Sequence, residues 1–238
     1  MGKMRGEGVS LIMNNATPER YIKNSGALTP EDLAVLAEKR VFIAGCGGLG
    51  AYILEMLARL GVLTISVADG DVFSRSNLNR QLLCTEQNIG AYKTDAAVQR
   101  IKEINSDVKI NAHPVFITKE NARSLLQGHD VILDALDNIQ ARLLLEQEAE
   151  ALNIPLVHGA IQNLFAQVAV ILPGDRTLHK LYGEHILGSP SVPSFTPALC
   201  AAFQVSETVK LLCGKKTIAR NSVLMIDLYD NSITTITM

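Results

Sequence analysis

The sequence predicts an α/β fold, a Rossmann-like, doubly wound and mainly parallel sheet with an antiparallel C-terminal part. Three observations carry this. Between Arg40 and Gly159, short apolar runs alternate with segments of helical apolar spacing, the pattern of a parallel sheet covered by helices on both faces. Gly45-x-Gly47-x-x-Gly50 falls where the first strand turns into a helix. Near the end, Ser222–Tyr229 and Ser232–Thr237 read as a hairpin turned by Asp230-Asn231.

The elements follow in order. Residues 1–28 read as an N-terminal arm of mixed charge and little periodicity, ahead of a single domain at 29–238. Thr29-Pro30-Glu31-Asp32 starts a helix, with Thr29 as N-cap and Pro30 in the first turn, running to about Glu38. Arg40–Ala44 is too short and too apolar for anything but a buried strand. A helix at Ala51–Leu60 stops at Gly61, and Leu63–Ala68 is a second buried strand ending at Asp69-Gly70-Asp71. The alternation continues through a helix at Thr94–Ile104, a strand at Lys109–Phe116, a helix at Lys119–Leu126 and a strand at Val131–Leu136. A helix at Ile139–Leu152 and strands at Pro155–Gly159 and Ala166–Leu172 complete it. Residues 173–197 carry a run of prolines and glycines and read as a long irregular segment, the kind that is usually functional. Pro197–Leu212 is a clean helix closed by Gly214.

Composition excludes several classes. With 238 residues, 47% of them hydrophobic, the chain buries a stable core as one domain. A formal net charge of −2 gives no electrostatic reason to expect nucleic acid or an anionic membrane as a partner. No apolar run approaches the ~20 residues that span a bilayer. The apolar patch Val9–Met13 is too short for a signal peptide, so a cytoplasmic location is the expectation. Cys46, Cys84, Cys200 and Cys213 have no ligand spacing, so neither a disulfide framework nor a zinc site is expected. Cys200 and Cys213 fall on an apolar helix and read as core. Cys46 and Cys84 have no base beside them to make a nucleophile.

The glycine loop predicts nucleotide binding. Its glycines allow a tight turn, close approach of backbone N–H groups to a phosphate and packing of helix on strand, while the helix N-terminus attracts anions. Gly45, Gly47, Gly48 and Gly50 are the loop candidates, and Asp69, at the end of the next strand, can accept ribose hydroxyls. This loop alone does not choose between NAD, FAD and ATP. The choice comes from Asp71, Ser76-Asn-Leu-Asn-Arg-Gln81, Lys93 and Asp137-Asn138. Attack on an α-phosphate needs cations for the developing charge and the departing pyrophosphate, supplied by Arg80 and Lys93. It also needs a carboxylate for magnesium, supplied by Asp137 at a strand's carboxyl end.

The ordered set Gly45–Gly50, Asp69-x-Asp71, Ser76–Gln81, Gly90-x-x-Lys93 and Asp137-Asn138 with Arg142 resembles the ubiquitin-activating-enzyme superfamily. Its similarity is to the bacterial HesA, MoeB and ThiF group that acts in molybdopterin and thiamine synthesis. The resemblance runs from about Arg20 to Leu212. It implies an ATP-dependent adenylyltransferase that activates the C-terminal carboxylate of a small sulfur-carrier or ubiquitin-like protein with a Gly-Gly tail. In that reading Asp69 binds ribose, Asp71 belongs to the nucleotide site, and Asn77, Arg80 and Lys93 contact phosphates. Asp137 holds Mg²⁺, and 173–197 is a crossover loop guiding the tail. Such proteins are usually homodimers in which an arginine of the partner's arm reaches the ATP. Lys23 stands in that arginine's place here, keeping the charge without the bidentate fork. The paired CxxC motifs that bind zinc in many members are missing, with Leu178–Tyr182 where the first would lie, so no zinc is expected. No cysteine occupies the crossover loop, and His179 and His185 there read as solvent or partner contacts. The alternatives are a partner-binding module that has lost turnover, a relative that modifies a tRNA base with ATP, and an oxidoreductase argued from the glycine loop alone.

Overall fold

The computed structural model describes residues 17–183 and 191–238. Most of the expected arm, residues 1–16, and the part of the crossover segment that holds His185 lie outside the described residues.

The first two strands, β1 (Arg40–Ala44) and β2 (Thr64–Ala68), are buried at every position after the first. Their unbroken apolar runs suit strands covered on both faces. With β3 (Lys109–His113), β4 (Val131–Asp134), β5 (Leu156–Gln162), β6 (Phe165–Ile171), β7 (Ser222–Asp227) and β8 (Ser232–Thr237) they form one sheet of order β3-β2-β1-β4-β5-β6-β7-β8. Strands β1 to β5 pair in parallel, and β5 to β8 pair antiparallel. The order reverses between β1 and β4, which opens a crevice beyond their carboxyl ends.

Helices α1 (Pro30–Glu38), α2 (Gly50–Leu60), α3 (Lys93–Ile104) and α7 (Phe195–Leu212) cover one face. Helices α4 (Ala122–Leu126), α5 (Ile139–Ala151) and α6 (Thr177–Tyr182) cover the other. The period of two along β1 decides the partition: Val41 and Ile43 join the first core, Phe42 and Ala44 the second. Among the described residues no helix is long and apolar enough to cross a membrane.

The helix start at Thr29 is as expected. The Thr29 side chain accepts from the Asp32 N–H at 3.2 Å and the Asp32 carboxylate accepts from the Thr29 N–H at 2.9 Å, closing a capping box. Four expectations change. Strand β3 ends at His113 rather than Phe116, because Pro114 has no N–H to continue the ladder; Val115–Ile117 leave the sheet instead. Helix α4 starts at Ala122 rather than Lys119, because Asn121 accepts from the Thr118 N–H at 2.8 Å and holds a turn there. Strand β5 runs past Gly159 to Gln162, where a tight turn with Asn163 at φ 54° sends the chain back as β6. The segment 173–197 is not wholly irregular. Helix α6 lies within it, with Leu178 and Tyr182 buried, and α7 begins at Phe195.

The arm expectation changes as well. A 3₁₀ turn at Glu19–Asn24 docks on the domain through Tyr21, which is 3% exposed and packs on Gly61 at the end of α2. The Tyr21 hydroxyl accepts from Asn105 Nδ2 at 2.8 Å.

Candidate active site

Strand β1 delivers the chain to the crevice through Gly45, whose φ is +95° and whose missing Cβ would lie 2.8 Å from the Ala135 carbonyl oxygen. A left-handed backbone and so close a neighbour admit glycine alone. Helix α2 then starts at Gly50, directly behind the loop residues Gly47, Gly48 and Leu49 that line the crevice. Strand β2 delivers Asp69 beside the loop. One Asp69 oxygen accepts from the Cys46 N–H at 2.7 Å and the other from the Asp71 N–H at 2.9 Å.

Lys93, at the first position of α3, is buried, and its Nζ lies 2.8 Å from Asp71 Oδ2 and 3.7 Å from Asp69 Oδ2. The side chain of Lys93 is 8% exposed, that of Asp69 9% and that of Asp71 51%. A buried cation survives only with such partners. Asp71, being half in water, is the partner an incoming phosphate can displace.

Arg80 lines the opposite wall and folds back to donate to the Ser76 carbonyl at 2.8 Å and to Asn79 Oδ1 at 2.9 Å. Asp137 stands on the loop after β4, exposed to the crevice, and among the described residues nothing holds its carboxylate. The whole forms one cleft of about 470 Å³, within the range of small-molecule sites.

Of the residues singled out in the sequence, Gly45, Gly47, Gly48, Asp69 and Asp71 line this cleft together with Arg80, Lys93 and Asp137. Three do not. Gly50 packs behind the loop, where its missing Cβ would meet the Gly45 carbonyl oxygen. Asn77 accepts from the Ser74 N–H at 2.9 Å and closes the 3₁₀ turn Arg75–Asn77, a capping role that fixes the turn bearing Arg80. Lys23 is exposed on the docked turn at the far end of α2. An 11-residue helix separates it from the glycine loop of its own chain, a span of about 16 Å.

The structure adds residues that sequence reasoning missed. Val115, Phe116 and Ile117 form an apolar wall, with Phe116 63% exposed and its ring laid over Gly70. Pro114 after a strand was the available signal. Gln81 lies against Gly47, buried, with its Oε1 unpartnered among the described residues. Behind the cleft sits a polar network. His158 Nδ1 lies 2.7 Å from Asp134 Oδ2, both fully buried, and His158 Nε2 lies 3.0 Å from the Tyr182 hydroxyl. Arg142 Nη1 donates to that hydroxyl at 3.1 Å, and Gln167 Nε2 donates to it as well. No sequence period reports such contacts.

Burial holds the His158 imidazole below its ordinary pKa, against the pull of the Asp134 carboxylate, and pushes the Tyr182 hydroxyl up to about 12. The neutral ring therefore donates from Nδ1 and accepts the Tyr182 O–H at Nε2. The sign for stability follows. The unfolded chain takes up this proton near pH 6.5 and the folded chain only at lower pH, so stability is complete above about pH 6.5 and falls below it. His129, also lowered by burial, adds to the same slope. A His158→Gln variant is expected to lose less melting temperature than the parent between about pH 7 and about pH 5. Equal losses in thermal melts would refute the assignment.

The cysteines are all free. Burial pushes the Cys46 and Cys200 thiols up to about 12, which leaves them inert.

Comparison with known proteins places this arrangement. The sequence profile of the ThiF family matches residues 21–238. The chain is 31% identical over 237 residues to the SAMP-activating enzyme E1 of Haloferax volcanii, covering 96% of this chain and 88% of that one. It is 33% identical over 224 residues to the sulfur carrier protein adenylyltransferase of Thermus thermophilus, covering 88% and 82%. It is also 31% identical over 199 residues to the molybdopterin-synthase adenylyltransferase of Escherichia coli, covering 81% and 80%. Among solved structures, E. coli MccB with MccA superposes with a TM-score of 0.82 at 21% identity, covering 94% of this chain and 73% of that one, which establishes the shared fold. The chain belongs to the ThiF family.

Proposed function

We propose that this protein is an ATP-dependent adenylyltransferase that activates the C-terminal carboxylate of a small sulfur-carrier or ubiquitin-like protein, releasing pyrophosphate. The observation that carries the reading is the single cleft joining the glycine loop and the α2 N-terminus to Lys93, Arg80 and Asp137. The relatives support it, since they are named as adenylyltransferases of sulfur carriers or as an activating E1.

In this reading the phosphates lie on the glycine loop and take the Lys93 ammonium from Asp71, while Asp69 accepts the ribose hydroxyls and Phe116 offers its face to the base. Mg²⁺ fits the site: Asp137 presents at the crevice a carboxylate that has no partner among the described residues, and this ion binds through one or two carboxylates with water and phosphate oxygens. When bound it supplies charge neutralisation at the phosphates. A carboxylate oxygen of the carrier's last residue attacks the α-phosphorus. The new C–O–P bond forms as the bond to the β-phosphate oxygen breaks, and pyrophosphate departs. No proton need move, so the chain's task is to align the reactants and to meet the charge on the leaving group with Arg80 and Lys93.

In this reading the protein works as a homodimer, each copy offering Lys23 to the cleft of the other. The place of Lys23, on the turn that packs by Tyr21 against Gly61 and so a helix length from its own glycine loop, supports this.

The test is ATP–pyrophosphate exchange with Mg²⁺, with and without a panel of small carriers ending in Gly-Gly. Exchange that depends on one of these carriers is the expected result. ATP binding with no exchange for any carrier would overturn the reading. Lys93→Ala is expected to lower the exchange rate about 100-fold, because it removes the buried cation and leaves Asp69 and Asp71 facing the phosphates. A loss under tenfold would remove Lys93 from the reaction.

A further inference from the structure

The buried network behind the cleft has a geometry that plain core packing does not require. Asp134 Oδ1 accepts from the Leu136 N–H at 3.0 Å, and Arg142 Nη2 donates to the Leu136 carbonyl at 2.6 Å. Both peptide groups flanking Leu136 are thus gripped, and the second of them leads into Asp137. Asn138, the next residue, caps α5 by accepting from the Ala141 N–H at 2.8 Å. The backbone on either side of Asp137 is therefore fixed, while its carboxylate has no partner among the described residues.

The same grip reaches the crossover segment. Arg142 and Glu146 stand one turn apart on α5 and face α6. Glu146 accepts the N–H groups of Leu178 at 2.6 Å and His179 at 3.1 Å at the start of α6. Arg142 holds the Tyr182 hydroxyl at its end and lies 5.5 Å from the centre of the Tyr182 ring. From Tyr182 the chain of hydrogen bonds returns through His158 to Asp134. A closed circuit results: Asp134 to the Leu136 backbone, to Arg142, to Tyr182, to His158 and back. Arg142 and Tyr182 also line the cleft, so the circuit forms part of its wall.

We infer that Asp134, Arg142, His158 and Tyr182 are positioning residues that lock the Asp137 loop to α6, so that the metal-side carboxylate and the wall of the crossover segment keep one fixed relation. The inference deepens the proposed adenylation and rests on it for its catalytic consequence. The circuit holds only if every member is present, since a half-satisfied buried network costs more than an apolar one.

The mildest break is Tyr182→Phe, which removes one hydroxyl and keeps the ring in place; it is preferred to Asp134→Asn, whose burial endangers folding. Two readouts decide. Amide hydrogen exchange is expected to quicken at residues 136–138 and in α6, with α2 and α7 unchanged. The kcat of carrier-dependent exchange is expected to fall about tenfold or more, with ATP affinity within about twofold of the parent. Unchanged exchange at 136–138 would overturn the inference, and so would faster exchange throughout the molecule with a lower melting temperature. Faster loop exchange with undiminished kcat would do the same. A parent protein inactive toward every carrier would sink the adenylation reading alone, and the amide exchange would still decide whether the circuit positions the loop.

Discussion

Replacing Asp137 by alanine is expected to abolish carrier-dependent exchange, lowering its rate by about 10³-fold, within the range lost when an electrostatic contact to a transition state is removed. The residue sits at the carboxyl end of β4, exposed to the crevice, with its backbone held from both sides. Its side chain is exposed and makes no hydrogen bond or ion pair among the described residues, so the melting temperature is expected to stay within about 2 °C of the parent, as for surface changes generally. ATP binding should weaken modestly, because in the proposed reading the glycine loop and Lys93 hold the phosphates without it. That split, intact fold and nucleotide binding with lost turnover, separates a reaction role from a structural one. A variant retaining more than a tenth of the parent rate would place the metal elsewhere.

Gly50→Ala is expected to produce the largest loss of stability. An alanine Cβ there would lie 2.0 Å from the Gly45 carbonyl oxygen and 2.8 Å from its carbon, both backbone atoms. The loop cannot retreat, since the Gly45 N–H bonds the Ala68 carbonyl at 2.8 Å and Gly45 itself rests on Ala135. Overpacking that displaces only side chains costs about 1–3 kcal/mol, and a clash confined to backbone should exceed about 3 kcal/mol. For a domain of this size that lowers the melting temperature by roughly 6–12 °C or more. Gly47→Ala is the contrasting control. Its Cβ would meet the Gln81 side chain at 3.4 Å on the cleft side, so the fold should survive while nucleotide binding weakens. Calorimetry on both variants checks the pair, and equal melting temperatures would refute the packing argument.

How much of this was legible in the sequence depends on the kind of contact. The glycine loop, Asp69 and Asp137 were legible as parts of the cleft because each follows the end of an apolar run, and such ends converge at the crevice of a doubly wound sheet. Lys93, at the start of a helix, was legible only as a member of the polar set after Gly90. The Thr29 cap and the Asp230-Asn231 hairpin were legible because turn chemistry is local. Helix α6 was hidden by surrounding prolines and glycines; it is anchored by Glu146 and Arg142 from α5, contacts that no local pattern reports. The family resemblance, not a local pattern, makes Asn77 a phosphate contact, and that its Oδ1 closes the turn before Arg80 is seen only in the structure. The circuit through Asp134, His158 and Tyr182 joins residues 24 positions apart at each step, and a single sequence gives no measure of such pairing. Tyr21, read as part of an unpatterned arm, finds its place only because Gly61 leaves room for the ring.

The most direct measurement of the central claim is the chemical state of the carrier's tail. The protein is incubated with ATP, Mg²⁺, a Gly-Gly-tailed carrier and hydroxylamine, and the carrier is weighed intact. Adenylation predicts a terminal hydroxamate, formed as hydroxylamine displaces AMP from the acyl-adenylate, and predicts none when ATP is omitted, when Asp137 is alanine or when the final glycine is deleted. Carriers recovered unmodified, while the protein binds ATP and stays folded, would contradict the account.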